Sequence, residues 1–443
     1  MIKGDQEKMV EERAYRNYLE ILKRELVPAL GCTEPICLAF AAAKSREILG
    51  QMPERVLAEC SGNIIKNVKG AVVPNSGGMK GVEAAIAIGA VGGNAQKELE
   101  VVADIQPEQI AEAAALVKTC AFCEVRVLKS KAPLHVRITA FAGEHRAVVE
   151  IRDAHTNIVL LQKDEEILFC EQPKQEKVVE KVSQEEMNVR EILEFANTVK
   201  LEDVQEIIGR QIEYNEKIAE EGLQKEYGAS VGANLLKYYG DDIKIRAKAY
   251  AAAGSDARMS GCLAPVVINS GSGNQGITVS LPVIQYAKHL QVSREKLIRA
   301  LVLSNLIAIH EKMAVGRLSA YCGAVSAACG SGAAVTYLHN GTYEQICATI
   351  TNTLANVSGI ICDGAKPSCA AKIASSVDAA ILGHYLAMEQ EQFNAGDGIV
   401  KEDVEQTISS VGILASQGMR ETDEVILDIM VENTAKDLEE VLK

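Results

Sequence analysis

The chain has 443 residues, 48% hydrophobic and 24% charged, a composition that excludes disorder, and its length predicts two or three domains rather than one core. A net charge of −14 repels phosphate backbones, and 4% aromatic residues with no Trp leave few platforms for bases, so nucleic acid is not an expected partner. Met1 to Arg16 is charged throughout and lacks the apolar stretch of a secretory signal, and no run approaches the roughly 20 apolar residues of a membrane helix, so a cytoplasmic protein without a membrane partner is expected.

Gln6 to Leu30 reads as one acidic amphipathic helix, with Met9, Ala14, Leu19, Leu22 and Leu26 near helical spacing and a stop at Gly31. A second helix starts at Thr33-Glu34-Pro35, with Thr as N-cap and Glu and Pro in the first turn, and ends at Gly50. Pro107 to Cys120 is a further helix. Around it, Glu124–Leu128, Leu134–Phe141, Ala147–Ile151 and Ile158–Leu161 alternate with period two, the pattern of half-buried antiparallel strands. Lys174 to Glu186 reads as a charged linker. From Met187 onward the pattern is helical and rich in Ala and Gly. The expected fold class is α+β: residues 1–95 and 187–443 form a large, mainly helical domain, and 96–175 form an inserted α/β module with antiparallel strands. Val72 to Gly78 and Val266 to Ser272 echo one another, either as two pseudo-equivalent loops facing one site or by chance.

The cysteines carry the first chemical signal. With twelve of them, no export signal and a large core, reduced thiols are expected rather than a disulfide framework. Cys362 and Cys369 lie seven positions apart across Gly and Pro, on a loop that can turn both thiols toward one centre. The helix that follows would present its N-terminus, which favours negative charge at Cys369. The ordinary state of a free cysteine is a small buried hydrophobe, and this spacing fits no zinc rule. Cys32 precedes a helix start, where the dipole should lower its pKa and make it a base or nucleophile; the alternative is a residue packed in the cap.

Two Gly-rich loops follow apolar runs, one with Asn75, Ser76 and Gly77, the other with Asn269, Ser270, Gly271 and Asn274. Successive N–H groups in such loops can bind a carboxylate, or the loops can be tight turns. Neither matches a nucleotide fingerprint. Arg258, Lys312 and Arg317 are candidate carboxylate clamps, although single charged residues are commonly surface groups. His135, His145 and His155 fall in the strand module and read as structural or exposed.

Taken together, Gly31-Cys-Thr-Glu-Pro35, the two Asn-Ser-Gly loops, Ala320-Tyr-Cys-Gly323 and Cys362-Asp-Gly-Ala-Lys-Pro-Ser-Cys369 resemble the iron–sulfur-dependent L-cysteine desulfidases. These are relatives of the alpha chain of bacterial iron–sulfur L-serine dehydratase. The resemblance runs over nearly the whole chain. It implies that Cys322, Cys362 and Cys369 ligate a [4Fe–4S] cluster and that Cys32 matches the cysteine proposed there as proton acceptor. The chain lacks the separate serine-dehydratase beta domain, which tilts the reading toward a carbon–sulfur lyase acting on L-cysteine. Three thiolate ligands would leave one iron open as a Lewis acid. Three rivals remain: serine dehydration in the same site, a pyridoxal phosphate enzyme with its Schiff base on Lys80, and a non-catalytic iron–sulfur or small-molecule binding protein with Cys329 as fourth ligand. Two-fold assemblies are the commonest, so a homodimer is the expected state.

Overall fold

In the computed structural model, which describes residues 3–119, 121–130, 132–171, 187–316 and 318–441, helix α1 (Lys3–Glu25) stops short of the expected Leu30. Pro28 explains the early stop. It cannot continue a helix and disfavours helical backbone at Val27 before it. The chain instead forms a two-residue strand, β1 (Pro28–Ala29), and then α2 (Thr33–Leu49), closed by Gly50 in the left-handed region at φ 83°. The N-cap of α2 is Cys32 rather than Thr33, and its side chain makes no capping bond.

Next come β2 (Arg55–Cys60), α3 (Gly62–Lys69), α4 (Val82–Gly92), a 3-10 segment over 95–100 and α5 (Pro107–Lys118). Five strands follow: β3 (Cys123–Val127), β4 (His135–Ala142), β5 (His145–Arg152), β6 (Ile158–Lys163) and β7 (Glu166–Cys170). They form a six-stranded sheet in the order β3-β2-β4-β5-β6-β7. Every pair is antiparallel except β2 with β3, whose parallel pairing uses the helical crossover through α4 and α5. Val136, Ile138 and Ala140 of β4 are buried, and α2 packs on β4 and β5. The sheet therefore draws β2 from before residue 96, the expected start of the module, and α2 covers one face of it. Neither β2 nor the exposed edge strand β7 was anticipated. The proposed linker, Lys174 to Glu186, lies outside the described residues.

The rest is helical apart from β8 (Val266–Val267). Helices α6 (Val189–Thr198), α7 (Leu201–Gln224), α8 (Val231–Tyr239) and α9 (Ile243–Met259) precede that strand. After it come α10 (Gly273–His289), α11 (Arg294–Val315), α12 (Gly323–Leu338), α13 (Tyr343–Val357), α14 (Cys369–Met388), α15 (Val404–Ile413) and α16 (Arg420–Val441). Helix α12 is the hub and packs against α10, α11, α13 and α14. Its Ala and Gly residues permit this closeness, since a Cβ on Gly330 would overlap the carbonyl of Ser304. One continuous apolar cluster runs from Ile36 and Ile86 on the sheet side to Leu301 and Ile350 in the helices, so the two parts share a core.

Two short pairings position the site. Strand β1 pairs antiparallel with β8, which sets the segment entering α2 beside the segment entering α10. An isolated bridge between Tyr321 and Ile361 sets the start of α12 beside the loop before α14.

Candidate active site

These pairings enclose a cavity of about 110 Å³. Its wall includes Cys32 and Glu34 at the start of α2, Arg258 from α9, Ser270, Gly271, Ser272, Asn274 and Gln275 at the start of α10, and Cys322, Cys362 and Cys369.

Cys322 and Cys362 are brought together by backbone. The Cys322 N–H donates to Ile360 O at 3.0 Å, and the Cys362 N–H donates to Ala320 O at 2.6 Å. Cys322 is the N-cap of α12 and Cys369 the first residue of α14, so two helix N-termini meet at these thiols. Between them, Gly364 at φ 92° passes so close to the Lys66 carbonyl that a Cβ would overlap it. The buried Lys66 ammonium donates to Cys362 O at 3.4 Å and pairs with Asp423 of α16. Asp363 binds Lys366 at 2.5 Å and also Lys372. Burial, then the neighbouring Cys362, pushes the Cys322 thiol up to about 12, and the same two causes lead in raising Cys369. Among the described residues, no three His, Cys, Asp or Glu side chains converge tightly enough to hold a single metal ion.

Cys32 contradicts the expectation of an activated thiolate. Burial and the Glu34 charge push its thiol well up, and the pull of Arg258 only partly opposes them. The helix start was expected to dominate; desolvation does. The Cys32 thiol donates to Glu34 Oε2 at 3.2 Å. Glu34 also accepts from Thr33 Oγ1 at 3.1 Å and from Asn67 Nδ2 at 3.0 Å, and His155 Nε2 stands 3.9 Å from Oε1. Burial alone would raise the Glu34 carboxyl, but His155 and the Cys32 hydrogen bond outweigh it and hold it at about 2. Thr33 Oγ1 also donates to Gly271 O at 2.9 Å, tying α2 to the second Gly-rich loop.

The two Gly-rich loops part company. In the second, Ser270, Gly271 and Asn274 line the cavity. Asn269 stands behind them, bonded to Asn305 Oδ1 at 2.9 Å and accepting from Ser270 Oγ at 2.9 Å. In the first, Asn75 donates to the carbonyls of Val102 (2.9 Å) and Ile105 (3.2 Å), and Ser76 Oγ to Val73 O at 2.7 Å. Gly77 faces Ile110. None of Asn75, Ser76 and Gly77 lies on the cavity wall, because their polar groups hold their own segment together. Pro74 of this loop braces the chain from outside, packed under Gly31 next to Cys32.

Of the other candidates, Lys80 is exposed and off the wall. Cys329 is buried in α12, where burial and the neighbouring Glu311 raise its thiol, and it too is off the wall. Arg317 lies outside the described residues. His135 bonds Glu150 at 2.8 Å, and His145 is exposed beside Asp164. His155, read as structural or exposed, is buried on the wall. Glu34, Asn67 and His155 were missed as site residues. Only Glu34 had a local signal, its place near Cys32, and the sequence pattern reads it as a first-turn helix residue.

Residues 96–428 match the family model described as serine dehydratase alpha chain. The chain is 54% identical to a UPF0597 protein of Lachnoclostridium phytofermentans, over 94% of this chain and 100% of the relative. It is 51% identical to a UPF0597 protein of Treponema denticola, over 96% and 100%. A UPF0597 protein of Desulfitobacterium hafniense is 52% identical over 95% and 98%. Among the described residues no helix is long and apolar enough to cross a membrane.

Proposed function

The chain belongs to the serine dehydratase alpha chain family, and from that premise we propose that it is an iron–sulfur lyase removing the β-substituent of L-cysteine to give hydrogen sulfide, ammonia and pyruvate. One observation carries the reading: Cys322, Cys362 and Cys369 share a single cavity with Cys32, Glu34 and Arg258.

The donor set fits a cluster better than a lone ion. Three half-buried thiols on one wall, with Cys362 pushing up both Cys322 and Cys369, are poor neighbours as thiolates unless a cationic group joins them. A cluster of several irons spreads its ligands over its corners, so its thiols need not converge on one point. Cys322, Cys362 and Cys369 would hold it, with the two helix N-termini, Lys66 and Lys372 offsetting its charge. Such a group supplies a Lewis-acidic iron, soft enough for a sulfur leaving group.

The chain's own residues handle the proton. Cys32 stands as a thiol, so it can accept the Cα proton only as its own departs. Glu34 Oε2, 3.2 Å away and ionised, is the acceptor in reach; held at about 2 it is a weak base, so it passes the proton on to the departing hydrosulfide rather than keeping it. The Cα–H bond breaks, an S–H bond forms on Cys32, and the earlier thiol proton moves to Glu34. The electron pair left on Cα forms the double bond as hydrosulfide departs, and the aminoacrylate tautomerises to an imine that water hydrolyses to pyruvate and ammonia. Asn67 and Thr33 fix the carboxylate so that Oε2 stays on the sulfur. The family's description favours a second substrate, L-serine, which differs only in the leaving group.

Anaerobic reconstitution with iron and sulfide, followed by parallel assays of L-cysteine and L-serine, tests the reading. Equal sulfide and pyruvate from cysteine, lost with the bound iron in Cys362→Ala, is the expected outcome. Pyruvate from serine alone would transfer the assignment to a dehydratase. A bound cluster with neither product would end the lyase reading.

A further inference from the structure

Two cations stand on the cavity wall, and they differ. Lys312 is engaged within the chain. Arg258, on the last turn of α9, is only 2% exposed, yet among the described residues its guanidinium makes one hydrogen bond, from Nη1 to the neutral Asn274 Oδ1 at 3.1 Å. Its Nε has no acceptor, and among the described residues no carboxylate pairs with it. A guanidinium is always charged, and burying it without an anion is a costly state.

The surroundings hold it there. Gly273 lies flat against the guanidinium, and any Cβ at that position would overlap Nε. Asn274, the next residue, grips Nη1. Both belong to the first turn of α10, so the loop that opens on the cavity at Ser270 and Gly271 also fixes the plane of Arg258. A planar fork, fixed in orientation and lacking a partner anion, matches the two oxygens of a carboxylate. Arg258 also acts electrostatically on Cys32, which places the fork within range of the thiol.

We propose that Arg258 is the specificity residue for a free α-carboxylate, held on the guanidinium with Ser270 and Gly271 beside it. The inference rests on the reading of this cavity as an amino-acid site and narrows its substrates to small free amino acids. Esters, amides and decarboxylated amines are excluded. Pyruvate, which keeps the carboxylate, acts as a competitive product inhibitor.

The test needs no turnover. L-alanine and L-alaninamide share an ammonium group and lack a leaving group; they differ in the carboxylate. Calorimetric titration into the reconstituted protein should show L-alanine binding at least about tenfold more tightly than the amide. Arg258→Met should abolish the preference while iron content stays unchanged, and Arg258→Lys should keep part of it. Equal binding of the two ligands by the unaltered protein, a comparison that no folding defect can disturb, would overturn the proposal. It would also fall if Arg258→Met lost its iron and kept the preference, since the guanidinium would then be balancing the cluster. Failure of the lyase reading looks different: no pyruvate from either amino acid, whatever the alanine preference.

Discussion

The loops around Asn75 and Asn269 share the run Asn-Ser-Gly one residue after two valines, and Gly77 and Gly271 both take positive φ, 70° and 82°. One lines a cavity and the other does not. In the first loop the asparagine turns to the carbonyls of Val102 and Ile105, so its donors are consumed by its own scaffold. In the second the asparagine turns inward to Asn305, and the residues after it remain open to the cavity. A Gly-rich run specifies a turn. Whether that turn binds anything depends on which polar atoms are left without a partner.

Substitutions can break this contrast, and the largest effect belongs to Gly273→Ala. The added methyl must displace the Arg258 guanidinium, so kcat/KM should fall about 100-fold, as for loss of a buried charged contact. Gly77→Ala is the glycine change to set against it in the first loop. There the methyl meets Ile110 at 3.1 Å on a strained backbone, so the fold should lose about 1–2 kcal/mol while kcat/KM per folded molecule stays constant. Denaturant melts and steady-state kinetics on both variants decide it. A kinetic defect in Gly77→Ala would mean that the first loop reaches the substrate after all. A smaller effect separates the asparagines. Asn274→Ala frees Nη1 and should raise KM about tenfold with little change in stability. Asn75→Ala leaves two carbonyls without that donor and should lower stability by about 1–2 kcal/mol with KM unchanged.

Much of the scaffold was readable from local pattern. Helix α2 ends at Gly50 as predicted and starts one residue earlier than predicted, with Cys32 rather than Thr33 as its cap, and four of the strands fall close to their period-two runs. Strand β2 escaped because Arg55 to Cys60 is short and gains its meaning only from β3 and β4, far along the chain. The three cysteines on the cavity wall were legible through family resemblance, with little help from their spacing. Cys32 was legible as a position and misread as a chemical state, because desolvation and Glu34 act through the folded surroundings and outweigh the helix terminus visible in sequence. Asn67 and His155 had no local mark at all. Each becomes a site residue only when its element is laid beside α2, and a sequence pattern does not encode that distance.

A last prediction tests whether scaffold and site also separate in their response to acid. His384 on α14 is buried among helices, its Nδ1 2.9 Å from Thr336 Oγ1 and its ring stacked near His339 at 4.6 Å between centroids. Burial, helped by His339, lowers its pKa to about 4. The folded protein therefore keeps it neutral where the unfolded chain, near 6.5, would protonate it. Stability is intact above that unfolded value and is lost as pH falls from about 6.5 to about 4, by about 2–3 kcal/mol in all. His384→Gln, which can still bond Thr336, should flatten that stretch of the stability curve and leave the pH dependence of kcat/KM unchanged, since His384 is not on the cavity wall. Urea melts at pH 7 and pH 5 on both proteins measure it. An unaltered acid slope in the variant would remove His384 as its source. A shifted kinetic profile would show that the α12–α14 packing transmits its charge to Cys322 and Cys369, and the division between scaffold and site drawn from the two loops would then fail on the helical side.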